Sequence, residues 1–114
     1  MKIKTSSLDD KTTVLVVEPG DEGPVVERLK FQPNGYAIMG TEAGFPASMA
    51  VVDSRSLKED WFTEDHLLAI EAHELGHIRM NSTDESVAEL EGIRLLEESG
   101  HTRAASLLYA RGIV

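Results

Sequence analysis

The chain has no cysteine, which excludes disulfide staples and thiolate-ligated zinc and fits a reducing compartment. It also lacks any hydrophobic run long enough to cross a bilayer, so no membrane partner is expected. Its first residues, Met1-Lys2-Ile3-Lys4-Thr5-Ser6-Ser7-Leu8-Asp9-Asp10, have no apolar stretch behind the basic start. No secretory signal is therefore predicted, and the expected location is the cytoplasm. Basic residues are scarce: 11 Lys and Arg stand against 20 Asp and Glu, a formal charge of −9. Phosphate binding needs a basic face, so nucleic acid is excluded as a partner. The acid surplus is read first as a solubility device rather than as attraction to a cationic partner. A length of 114 residues supports one core and not two, so 1–114 is expected to be one domain.

What is present falls into two halves. Residues 1–11 are polar and charged and read as a loosely held, flexible arm. Thr12-Thr13-Val14-Leu15-Val16-Val17, ending in Glu18-Pro19-Gly20, predicts a buried strand and a turn. Val25 to Phe31 fits either a strand or a short helix opened by Pro24. Gln32-Pro33-Asn34-Gly35 followed by Tyr36-Ala37-Ile38-Met39 favours a hairpin, because Asn-Gly supplies the positive φ values of tight hairpin turns. After a glycine-containing loop from Gly40 to Gly44, Ala47 to Asp53 reads as another strand.

From Thr63 onward the periodicity is helical. Thr63 is the predicted N-cap, with Glu64 and Asp65 in the first turn where the helix dipole favours acids. Leu68, Ala72 and Leu75 form an apolar stripe with Ile78 on its flank, and the helix is expected to stop near Met80-Asn81. Ser82-Thr83-Asp84-Glu85 has the form of a capping box for a second helix running to about Ser99, with Gly100 as its stop. Thr102 can cap a third, short helix through Arg111, ended by Gly112. Strands in front and helices behind predict an α+β domain. Its mostly antiparallel sheet of three to four strands precedes three helices.

The most informative residues lie on the first of these helices, at His73-Glu74-Leu75-Gly76-His77, an HExxH pattern. Helical residues four apart share a face, so the two imidazoles can reach one zinc ion at about 2.0–2.1 Å each. Glu74 then sits beside the open coordination position, where a general base can take a proton from water. A catalytic zinc takes three protein ligands. A metzincin would continue with Gly at Met80 and His at Thr83, and this chain does not.

The short link between the helices predicts an antiparallel hairpin in which His77 faces Glu85 and His73 faces Glu89. Small Ala88 and Gly92 would let the helices approach closely. Glu85 is assigned as the third ligand, against the competing role of capping-box partner. Glu89 is assigned as the acceptor of the other ring N–H of His73, against a solvated helix acid. Asp84 reads as a helix-terminal charge and Glu91 as solvent-facing. His66 lies about 10 Å along the helix axis from His73 and cannot share the site. His101 reads as a loop residue.

Glu85-x-x-Ala88-Glu89-x-x-Gly92-x-x-x-Leu96 following the HELGH sequence resembles the gluzincin zinc metallopeptidases, and the compact size is similar to that of the minigluzincins. The resemblance spans about residues 63–100. It implies a small zincin-like fold, zinc as cofactor, a peptide or protein substrate, His73, His77 and Glu85 as ligands, and Glu74 as general base. Glu89 stands where that family usually has Asp or Asn, and the His77-to-Glu85 gap is shorter than usual. In such enzymes the substrate adds as a strand beside the cleft. Ser48 to Val52 is the candidate for that edge and fits a core strand equally well. Tyr109, Arg103 and His101 are candidate oxyanion donors, none of them assigned, and the residues that bind substrate are not identified.

Two other readings remain at this point. One is a non-catalytic zinc-binding regulatory or interaction domain of zincin fold. The other is a metal-independent helical hairpin with coincidental His spacing.

Overall fold

The computed structural model describes residues 1–40 and 47–110. Four strands form one sheet: β1 (Lys2–Thr5), β2 (Thr13–Val17), β3 (Gly35–Ile38) and β4 (Met49–Asp53). Their spatial order is β1-β2-β4-β3, with β1/β2 and β3/β4 antiparallel and β2/β4 parallel. The helices are α1 (Pro24–Arg28), α2 (Glu64–Met80), α3 (Glu85–Glu98) and α4 (Thr102–Tyr109). This is an α+β domain with its sheet strands ahead of the three longer helices. No helix among the described residues is long and apolar enough to cross a membrane.

Strand alternation divides the core between the two faces of the sheet. Val14, Val16, Ala50 and Val52 pack with Leu75, Leu96 and Leu108 beneath α2, α3 and α4. On the other face Val17, Tyr36, Ile38 and Val51 pack with Val26 and Leu29 from the α1 segment. Because α2 lies between the sheet and the other helices, every residue from Ala69 to His77 is buried. That nine-residue run carries the HELGH sequence, so its polar groups lie buried in the packed interior face of the helix with little exposure.

The α2–α3 hairpin forms as the spacing predicts. A Cβ on Gly76 would lie 2.1 Å from the carbonyl oxygen of Ala88, and one on Gly92 would lie 2.9 Å from that of Ala72. The inverse order of these two contacts defines an antiparallel pair in backbone-to-backbone approach. Thr63 is the N-cap of α2, and His66 Nδ1 accepts its backbone N–H at 3.1 Å. Asn81 closes the helix in the left-handed conformation.

Several expectations need correction. Residues 1–11 are not a loose arm: Lys2–Thr5 pairs with β2, Ser6 is fully buried and Leu8 joins the core. All four β1 side chains are exposed, so backbone pairing holds the strand without a hydrophobic pattern. The Val25–Phe31 segment resolves as helix over its first half, with Pro24 in the first turn, where its missing N–H costs nothing. Asn34 does adopt a positive φ of 74°, but it leads β3 into pairing with β4 rather than back onto the preceding segment. The second-helix cap is Asp84, whose carboxylate accepts from Ser86 and Val87 N–H, and not Ser82. Arg111, Gly112 and residues 41–44 of the expected loop lie outside the described residues.

Candidate functional site

The register of the hairpin brings Glu85, the first residue of α3, opposite both histidines of α2. Glu85 Oε2 lies 2.8 Å from His73 Nε2, and Glu85 Oε1 lies 3.1 Å from His77 Nε2. With Asp84 taking the capping role, Glu85 is released from the capping box that competed for it. The two imidazole rings are 4.9 Å apart and nearly perpendicular, so their Nε2 atoms converge. His73, Glu74 and His77 each offer a donor atom, all within 4.8 Å of one another.

The other ring nitrogen of His77 decides what this arrangement needs. His77 Nδ1 lies 2.7 Å from the carbonyl oxygen of Ser82. A carbonyl can only accept, so the proton is on Nδ1 and a neutral ring presents its Nε2 lone pair to the Glu85 carboxylate. Two acceptors 3.1 Å apart repel unless a cation, a proton or a metal, lies between them. Fixing the tautomer through the second ring nitrogen is also how proteins orient a ligating histidine. Burial holds the His73 pKa below its usual value, against the opposing pull of Glu85, which favours the neutral form that ligates metals. His73 and His77 with a neighbouring carboxylate could therefore hold a cation, a proton or a metal ion: Glu74 completes a cluster of possible ligand atoms, and Glu85 contacts both rings.

Glu74 is 7% exposed and its pKa is pushed up to about 8, first by burial and then by the negative charge of Glu85. Its carboxylate faces β3 across Gly35, where a Cβ would come within 3.6 Å of Oε2. Glu89 does not make the hydrogen bond assigned to it. Among the described residues His73 Nδ1 is buried with no partner, although the charge of Glu89 is close enough to favour the protonated imidazole. With its Nε2–H donated to Glu85, neutral His73 has only a lone pair on Nδ1. Glu89 can serve that atom only after the proton moves there.

A cleft of about 520 Å³ opens over these groups. One wall is α2 and the start of α3, and the other is β3 with the segment before it, including Arg28, Asn34 and Tyr36. The edge strand of the cleft is thus β3. Ser48–Val52 is not that edge, because β4 lies between β2 and β3 with Ala50, Val51 and Val52 fully buried. None of the three candidate oxyanion donors lines the cleft. Tyr109 is 77% exposed on α4, Arg103 pairs loosely with Asp65 at 3.9 Å, and His101 sits at the N-terminal boundary of α4.

Sequence reasoning missed the Ser82 carbonyl, Gly35 and Arg28. The helix stop at Met80-Asn81 held a signal for the first, since the chain reverses there. Gly35 and Arg28 reach the site only through long-range pairing of β3 with β4. Glu91 is not solvent-facing: its side chain is 11% exposed and bridges Arg79 and Arg94.

No family model, no curated protein and no solved structure matches the chain.

Proposed function

We propose that the chain is a zinc-dependent peptidase acting on peptide or protein substrates, with a metal held by His73, His77 and Glu85. The observation that carries this reading is the convergence of both Nε2 atoms on one carboxylate, with His77 Nδ1 committed to Ser82. The likeness of HELGH and the following Glu85–Gly92 pattern to gluzincin sequences supports it, as does the cleft over the site. Two imidazoles and a carboxylate suit zinc, and the same set accepts cobalt or manganese.

Zinc, when bound, supplies Lewis-acid polarisation of the scissile carbonyl and acidifies water. Glu74, aimed into the cleft, takes the proton of the attacking water and delivers it to the departing amine. The chain's own groups keep Glu74 protonated at neutral pH, and added positive charge beside it favours the carboxylate that a base must be. His77 is held in register by Ser82, and His73 by the buried wall of α2. The outer edge of β3 offers backbone groups on which an extended peptide can add as a further strand.

A second reading is a zinc-binding regulatory or interaction domain of the same fold without catalysis. The test is cleavage of a peptide library, followed by mass spectrometry, with zinc-loaded wild type and Glu74→Gln. Cleavage by the wild type that falls about 10²- to 10⁴-fold in the variant, with zinc retained, supports the peptidase. No cleavage by zinc-loaded wild type leaves the interaction domain, and equal cleavage by both proteins contradicts Glu74 as the general base.

A further inference from the structure

The strand wall of the cleft has a shape that the chemistry at the metal ligands does not use. Side chains alternate along β3. Tyr36 and Ile38 pack on the α1 side of the sheet, which leaves Gly35 and Ala37 on the side of α2. The register agrees: Gly35 pairs with Val52 and Ala37 with Ala50, and both partners lie fully buried in the core beneath the helices. That face of the sheet is therefore filled at β4, whereas at β3 it carries two of the smallest residues and borders open space.

The two positions differ in what they leave free. A Cβ on Gly35 would lie 2.8 Å from Ile70 Cγ2 and 2.7 Å from the Val51 carbonyl oxygen. Strand and helix touch there, and no side chain fits between them. Ala37 lies about 7 Å further along the strand, is half-buried, and lines the cleft of about 520 Å³. Pro33, Gly35 and Ile70 give the cleft an apolar floor, while Glu74 and Glu85 stand with the histidines on the helical wall. A peptide added along the outer edge of β3 directs alternate side chains toward α2, beside Ala37 and into the cleft. The single methyl of Ala37 leaves that volume to the peptide. A charged side chain placed against the apolar floor would lose its water without replacement.

We propose that Ala37 is the specificity-determining residue of the cleft, and that its small side chain admits a large apolar side chain of the peptide, about the size of leucine. This rests on the peptidase reading only in taking a peptide as the occupant. Ala37 selects which peptide is held and takes no part in the chemistry.

Binding and cleavage are tested separately. Fluorescein-labelled alanine-based hexapeptides carrying Ala, Leu, Lys or Glu at one central position are titrated by anisotropy into zinc-loaded Glu74→Gln protein. The expected result is a preference of about tenfold or more for Leu over Ala, from burial of three further carbons, with Lys and Glu bound more weakly than Leu. Ala37→Leu, added to Glu74→Gln, fills the space and should reduce the Leu-over-Ala preference to under about twofold. Zinc content should stay at its level in the parent protein, which separates a filled pocket from a damaged metal site. Circular dichroism confirms folding. Ala37→Val, expected to lower the preference about threefold, carries the test if Ala37→Leu does not fold. Equal binding of the Leu and Ala peptides, tighter binding of Lys or Glu, a preference untouched by filling position 37, or no peptide binding would overturn the proposal. Leu-selective binding together with failure of the zinc-loaded wild type to cleave the same peptides would instead sink the peptidase and keep the apolar subsite.

Discussion

On α2, Glu71 and Glu74 are 1% and 7% exposed, yet their environments are opposite. Glu71 accepts from Ser6 Oγ at 2.6 Å and pairs with Lys4 Nζ at 2.9 Å, tying β1 to the helix. Among the described residues no such partner answers Glu74, and the charge acting on it is the like charge of Glu85. A buried acid whose charge is answered contributes to the fold, whereas one left unanswered costs stability. The chain accepts that cost on the face of α2 that looks into the cleft and not on the face that looks toward β1. The difference separates a carboxylate tied into the fold from one left facing the cleft, without reference to sequence pattern.

The comparison breaks most sharply at Glu74. Glu74→Gln should cut peptidase turnover by about 10²- to 10⁴-fold while leaving the melting temperature unchanged or higher, as thermal unfolding will report. A rise or no change in stability is the signature, because the substitution removes an unanswered buried acid.

Next in size is Gly76→Ala, whose methyl would meet the Ala88 carbonyl. Overpacking against backbone should cost about 2–3 kcal/mol, even after the helix propensity gained, and should loosen the His77–Glu85 contact. Denaturant unfolding and zinc affinity measure the two effects. Glu71→Ala should destabilise by about 1–3 kcal/mol through loss of the Ser6 and Lys4 contacts, with zinc binding retained. Equal stability losses at Glu71 and Glu74 would erase the distinction drawn here.

The smallest effect concerns pH. Arg94 and Arg79 draw the Glu91 pKa down to about 2, from an ordinary value of 4.5. A lowered carboxylate pKa stabilises the fold above the unfolded value, and that contribution is lost as pH falls from about 5 toward 2. Glu91→Gln should therefore remove about 1–2 kcal/mol at neutral pH, less than the full shift implies because Arg94 is partly exposed and screened. It should also flatten the acid limb of a stability–pH profile.

The back half of the fold was legible because its signals are local. Thr63, Asn81 and Gly100 mark helix boundaries through their own backbone chemistry, and His73, His77 and Glu85 follow from helical spacing across a short link. The front half was less legible because its pairings are distant. The strand at Lys2–Thr5 has no buried side chain and is invisible to hydrophobic periodicity. The Asn34-Gly35 signal was real in its backbone angle but misled about its partner, since β3 pairs with a strand more than ten residues later. Ser82 and Asp84 satisfy the same capping rule, and sequence alone could not choose between them. That choice matters, because Asp84 as cap is what frees Glu85 for the histidines.

The central claim is that His73, His77 and Glu85 hold one metal ion. Its most direct test is zinc content by plasma mass spectrometry on wild type and Glu85→Ala, both purified without a histidine tag. The account predicts about one zinc per wild-type chain and a sharp loss in a Glu85→Ala protein that remains folded. A wild type that folds normally in chelator and takes up no added zinc, or a variant that keeps its metal, would contradict it.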